Sequence, residues 1–257
     1  MTENSSASGG TGLPASVEAA WGLRDRPAKG PKPGLTLDRI VAAAVSVAAG
    51  EGLSAVSMGR VAKELGVSTM SLYRYVSAKE ELYVLMQEAA MGAPPPLPAL
   101  EEGAGWREAL RQWAWAQRRM FQRNLWSLRI PIAGPPASPH MVLWWEQGLQ
   151  ALSDSGLSPG DKISVILLVT GFVRNEATTM SDVAAAVEKK GVSAEEFMAG
   201  WERTVRRLVD PVRHPALSGL LATEAMSEPD EADYDFVFGL ERILDGIDVL
   251  IRRDAPA

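Results

Sequence analysis

A chain of 257 residues, 46% hydrophobic and 7% aromatic, is long enough for about two domains and too apolar to be disordered. With no cysteine, two histidines, no bilayer-length apolar run and no signal-peptide pattern in MTENSSASGG, disulfides and thiol chemistry are excluded, and the expectation is a cytoplasmic protein with no cofactor, metal or membrane partner. The net charge of −6 divides unevenly: residues 21–92 hold nine bases against seven acids, and 93–257 hold seventeen bases against twenty-three acids, so positive charge is confined to an early stretch.

In chain order, residues 1–35 read as a flexible arm, disordered over 1–12 and basic over 21–34, where Arg24, Arg26, Lys29 and Lys32 face a single Asp25. Prolines and glycines between 27 and 34 prevent regular helix. Such an arm either lies in a DNA minor groove or is a solvated tail. From Thr36, an N-cap, apolar residues at 37, 40, 41, 44, 45 and 48 predict an amphipathic helix that Gly50 and Gly52 end.

Residues 61–76, VAKELGVSTMSLYRYV, then fit a helix-turn-helix. Val61, Leu65 and Val67 take inward positions, Ala62 is small where two helices cross, and Leu72 and Tyr75 continue the inward face. Ser57 and Ser68 are the N-caps of the two helices, and Gly66 falls where the chain must turn. Thr69, Met70, Ser71, Tyr73 and Arg74 include the outward positions of the second helix. Downstream, Ser77 and Glu80 have capping-box spacing, and Leu82, Leu85, Met86 and Ala89 share one face of a fourth helix. Lys79 in its first turn opposes the helix dipole unless an anion such as a DNA phosphate is near.

The run from Leu37 to Met91, above all GVSTMSLYRYVSAKEEL at 66–82, resembles the DNA-binding domain of the TetR family of bacterial transcriptional regulators. The pattern Val67-Ser68, Leu72-Tyr73, Tyr75, Lys79 and Leu82 carries the likeness over about a fifth of the chain. The resemblance implies that the helix from Ser68 to Tyr75 reads the major groove, that Tyr73 and Lys79 contact phosphates, and that Ser57 anchors the preceding helix to the DNA backbone. Gly59 and Arg60 depart from the pattern at the start of the first motif helix. The candidate DNA contacts are therefore Ser57, Arg60, Ser68, Thr69, Met70, Ser71, Tyr73, Arg74, Tyr75 and Lys79, within a domain at 36–91.

After the proline-rich break at 92–100, helices are expected over 104–124, 125–133, 138–155, 159–190, 194–209 and 233–253, which makes the protein all-α: a three-helix helix-turn-helix module followed by a helical domain at 92–257. The run ISVILLVTGFV at 163–173 is apolar nearly all round and so predicts burial on most sides. The last helix places Phe236, Gly239, Ile243, Gly246 and Leu250 on one face, and two glycines seven apart cost stability unless a helix approaches closely. A symmetric partner fits that pattern, with intramolecular burial as the alternative. The TetR resemblance points to a four-helix dimer interface here.

Trp106, Trp113 and Met120 are spaced by seven, and Met141, Trp144 and Trp145 share another helical face. These six residues line either an effector cavity, with Asn175 or Glu176 as its polar end, or a plain core; the cavity is implied mainly by the resemblance. No catalytic constellation stands out: His140 and Glu146 are six apart and do not share a helical face, and His214 precedes a proline. The reading is a DNA-binding regulator, a homodimeric repressor released from double-stranded operator DNA by a small hydrophobic effector. Its alternative is a partner-controlled regulator with a filled core, and a helical enzyme is remote.

Overall fold

Thr36, Ser57, Ser68, Ser158 and Ser193 each stand before a helix and accept a backbone N–H from the residue three further on. The computed structural model describes residues 13–23, 34–132, 134, 137–223 and 233–254. Among these, the helices are α1 (Ala15–Ala20), α2 (Leu37–Glu51), α3 (Met58–Leu65), α4 (Thr69–Tyr73), α5 (Lys79–Met91), α6 (Pro98–Glu101), α7 (Trp106–Arg123), α8 (Pro139–Ala151), α9 (Pro159–Lys190), α10 (Ala194–Leu208), α11 (Pro215–Leu221) and α12 (Tyr234–Asp254). The described residues contain no strand, as an all-α reading expects. None of their helices is long and apolar enough to cross a membrane.

Two large apolar cores form among the described residues. Helices α2 to α5 enclose Ile40, Val47, Val61, Leu72, Leu82 and Met86. Helices α7, α8, α9 and α12 enclose Leu110, Trp113, Met120, Trp144, Ile166 and Leu240. A 3-10 turn at Leu125–Arg129 stitches them together: Trp126 and Ile130 belong to the first core, whereas Leu128, between them, belongs to the second. A helix had been expected over 125–133. Pro131 opposes that course, because it holds the preceding residue, Ile130, in an extended conformation.

Other local expectations shift for identifiable reasons. The basic stretch at 24–33 and the tail at 1–12 lie outside the described residues. The segment read as a flexible arm contains α1, which packs against α5, and Trp21 Nε1 donates to the Ala137 carbonyl at 2.7 Å. The cap before α5 is not the Ser77–Glu80 box: the helix begins after Ala78, and Glu81 reaches back to accept the Ser77 N–H at 2.7 Å. Ala89 is exposed, because at this turn α5 presents Ala90 to the first core and Glu88 to the start of α8 instead. Helix α8 stops at Ala151, where successive turns to Ser153 and Ser155 take over. The apolar run in α9 buries Val165, Ile166, Val169 and Val173 but leaves Ile163, Leu167 and Leu168 exposed.

Candidate nucleic-acid interface and effector region

The first core sets the direction of α4. Gly66 ends α3 in the left-handed conformation, φ 68°, which glycine adopts without a Cβ clash, and Ser68 restarts the chain as a helix within three residues. Leu72 and Val76 are buried, so Met70, Tyr73 and Arg74 are turned to solvent, with Thr69 and Ser71 half-buried beside them. Ser57 and Ser68 are exposed and already capping; Ser68 Oγ also lies 2.9 Å from Ser71 Oγ. Lys79 is the first residue of α5, and its Nζ sits 5.1 Å from the centre of the Tyr83 ring. That contact steadies the cation without neutralising it.

Two of the ten candidate contacts are committed elsewhere. Arg60 is clamped between Glu51 at 2.6 Å and Glu64 at 2.8 Å, and their hydrogen bonds raise its pKa well above the ordinary arginine range. Its charge is spent inside the domain. Tyr75 is half-buried, lies after the end of α4, and donates its hydroxyl to the Leu35 carbonyl at 2.9 Å, so it closes the domain rather than facing outward.

In the helical domain the expected cavity wall is divided. Trp113, 1% exposed, donates to the Trp144 carbonyl at 3.0 Å, Trp144 donates to the Gly92 carbonyl at 3.0 Å, and Met120 is buried with them. These three are core, and both indole N–H groups are satisfied by backbone oxygens. Trp106 and Trp145 are half-buried at its margin, and Met141 is half-buried on α8 without joining that core. Neither expected polar end is available: Asn175 is exposed on α9, and Glu176 is paired with the nearly buried Arg118 at 2.9 Å, which also binds Asp233 at 2.6 Å.

Open space lies elsewhere. A cleft of about 550 Å³ separates the prolines at 95, 96 and 98 from the α7 face bearing Arg111, Trp115 and Arg119. A second, of about 400 Å³, lies between the end of α2 and the 3-10 turn, beside Trp126. Neither is lined by the eight expected ligand contacts. Sequence reasoning passed over the residues that join the two domains. Trp126 and Ile130 are one such tie. Arg174 supports them, its guanidinium donating to the Leu128 and Ile130 carbonyls at 2.8 and 3.2 Å, and burial pulls its pKa below the ordinary arginine range. Glu88 on α5 is another: it accepts the Ser138 hydroxyl at 2.5 Å and the His140 N–H at 2.8 Å, which fastens α5 to the start of α8. In the sequence Trp126 is one of six tryptophans between 106 and 145, so nothing local marks it as the tie.

The α12 face also divides. Phe236 is buried in its own chain, and a Cβ on Gly239 would meet the Phe172 ring of α9 at 2.6 Å, so this glycine serves an intrachain contact. Ile243 and Leu250 are half-buried, and Gly246 is exposed with open space around it. The unfilled apolar surface is carried instead by Leu167 and Leu168, 56% and 53% exposed, and by Phe238 and Val249, 53% and 67% exposed.

Residues 40–86 match the family profile described as bacterial regulatory proteins, tetR family, and residues 97–251 match that of the tetracyclin repressor-like C-terminal domain. The chain is 37% identical to the HTH-type transcriptional repressor DrrR1 of Streptomyces coeruleorubidus, over 97% of its own length and 95% of the relative's. Among solved structures it resembles apo ActR from Streptomyces coelicolor, at 27% identity and a TM-score of 0.68 over 88% of this chain and 100% of the other. ActR in complex with actinorhodin matches at 28% identity and a TM-score of 0.65, over 84% and 96%.

Proposed function

The chain belongs to the TetR family of bacterial transcriptional regulators, and from that premise we propose that it is a homodimeric repressor which leaves its operator when a small hydrophobic ligand binds the helical domain. One observation carries the DNA-binding part: α4 buries Leu72 and turns Met70, Tyr73 and Arg74 outward, so its free face is the one a major groove would accept. Tyr73 and Lys79 hold the protein on phosphates, and Thr69, Met70 and Arg74 lie nearest the bases. Ser57 and Ser68 offer helix starts to the DNA backbone. The named repressor DrrR1 and the ligand-bound ActR structure support repression and ligand response.

In this reading two heads meet successive major grooves of a near-palindromic site in the cytoplasm. Dimerisation through α9 and α12 covers Leu167, Leu168, Phe238 and Val249, each of which still has half or more of its surface in solvent. Effector binding favours a dimer whose heads are badly spaced, and the Trp126–Ile130 tie carries the change from one core to the other. Family membership supports a regulator over an enzyme.

Selection of DNA by the full-length protein from a random duplex pool tests the first part. A near-palindromic consensus with half-sites about one helical turn apart is expected, and recovery of no consensus defeats it. The filled Trp113–Met120–Trp144 core favours a second reading, control by a protein partner. Melting and tryptophan emission measured against a metabolite panel separate the two, because only the ligand-responsive protein gains stability from a compound that also releases DNA.

A further inference from the structure

Residues 94–98 read PPPLP, a strap that cannot continue the helix before it and runs directly from the end of α5 into the helical domain. One edge of the strap is fastened to α8, where Trp144 Nε1 donates to the Gly92 carbonyl at 3.0 Å and Gln147 Nε2 donates to the Pro95 carbonyl at 2.6 Å. Its far end is tied to α7, with Leu97 buried in the second core and the Ala99 N–H donating to Gln112 Oε1 at 3.0 Å, but the proline rings leave a cleft of about 550 Å³ beside α7. That volume accommodates a molecule of a few fused rings.

The α7 wall is a single helical stripe, Arg111, Trp115 and Arg119, at intervals of four residues. Trp115 is held in place by the edge of Phe236, ring centres 4.7 Å apart, and by the Arg118 guanidinium 5.3 Å from its ring. It presents a fixed aromatic surface opposite the proline rings. Arg111 is neutralised by Glu241 at 2.7 Å and by Glu108. Arg119 is exposed and has no carboxylate partner among the described residues. The uncompensated charge on this cleft is therefore a guanidinium, whose planar fork suits a carboxylate or a comparable anion.

We infer that the strap cleft receives a planar aromatic acid, its rings between Trp115 and the prolines and its anion on Arg119, and that entry of the acid pushes Pro95 and Pro96 away from α7, about the anchor that Leu97 and Ala99 make on it. This rests on the ligand-responsive reading and gives it a location and a chemical class. The strap starts at Gly92, one residue after α5 ends, and α5 reaches into the head through Leu82, Leu85 and Met86. Displacing the strap therefore levers the head, while Trp144 and Gln147 keep its other edge on α8.

The probe is 2-naphthoate, with 2-naphthamide as its uncharged counterpart, titrated calorimetrically into the full-length protein. Wild type is expected to bind the acid roughly tenfold or more tightly than the amide. Arg119→Ala, at an exposed position, is expected to abolish that preference while melting as wild type does, and Arg119→Lys to retain part of it. Equal binding of acid and amide, unchanged acid binding in Arg119→Ala, or no saturable binding of the acid each overturns the cleft assignment. Naphthoate added to the complex with selected DNA should weaken it in wild type and not in Arg119→Ala; an unaffected wild-type complex overturns the lever. A wild-type protein that selects no DNA sequence overturns the regulator reading instead, and the cleft is then judged by the calorimetry alone.

Discussion

In the reading head Val61, Leu72 and Val76 are fully buried by elements of the same chain, whereas at the α9–α12 face Leu167, Leu168, Phe238 and Val249 remain in solvent. Both regions are apolar helices with good periodicity. The difference is that four short helices close around the head's inward residues, while α9, with 32 residues, extends past what α7 and α12 can cover. A region closed by local elements is stable as a unit. A region left open by its own chain has a surface to offer to a second copy, and α10, none of whose residues is buried, continues that open character.

The strongest way to break this comparison is to charge the open face. Leu168→Glu leaves both cores intact and places a carboxylate on the proposed interface. Sedimentation is expected to show a monomer with native helix content, and operator affinity is expected to fall by about 10²–10⁴ as the two half-sites lose their linkage. A Leu168→Glu protein that remains dimeric would remove this face from the assembly.

Next in size is the seam between the regions. Trp126 lies in the head's core but is supplied by the 3-10 turn that follows α7, so Trp126→Ala should cost about 3–5 kcal/mol of stability. The loss should appear first in the head. Hydrogen exchange is expected to rise in α2 and α5 more than in α12, and a uniform rise would show that the two cores do not unfold separately.

A smaller effect sharpens the account of the head surface. Lys79→Ala should weaken binding to all sequences alike and reduce the salt slope by about one counterion, while Thr69→Ala should chiefly change base preference. Arg60→Gln is the informative contrast. Its charge is already taken by Glu51 and Glu64, so the salt slope should stay within about 0.3 of wild type. A loss as large as that of Lys79→Ala would mean that Arg60 leaves its acids for DNA.

The smallest expected effect concerns acid. Hydrogen bonds from Arg111 and then Arg107 hold the Glu241 carboxyl below the ordinary carboxylate range, so its folded pKa is depressed. That contribution to stability is complete above the unfolded value, about 4.3, and is lost as pH falls through the folded one. Glu241→Gln should therefore lower the melting temperature slightly at neutral pH and reduce its fall during acidification. An identical acid slope in the two proteins would remove the α7–α12 pairs from the pH dependence.

Much of the head was legible because its determinants are local. Thr36, Ser57 and Ser68 cap helices through bonds spanning three residues, Gly66 turns at a positive φ that favours glycine, and the inward spacing of Val61 and Leu72 follows from helical period alone. The likeness read in residues 66–82 lies within the 40–86 match to the tetR-family profile for the same reason, since the motif records a compact local unit. Among the helical domain's elements, α9 spans the expected 159–190, because Ser158 caps its start and Gly191 ends it in the left-handed conformation, both local signals.

What only the tertiary structure decided is which apolar and charged groups meet. Sequence periodicity placed Phe236 and Gly239 on one face with Gly246 but could not say that Phe172 of the same chain fills the space at Gly239. It grouped Trp113 and Trp144 as a potential wall without showing that each indole would donate to a backbone carbonyl within the core. Arg60 and Tyr75 stood among the candidate DNA contacts, although Tyr75 also fits the inward face and Arg60 departs from the family pattern; only the fold shows Glu51 and Glu64 beside the one and the Leu35 carbonyl beside the other. Helix period and caps are set by neighbours a turn away, so the sequence determines them by itself. Whether a side chain is core, interface or ligand surface depends on partners that folding brings from distant positions.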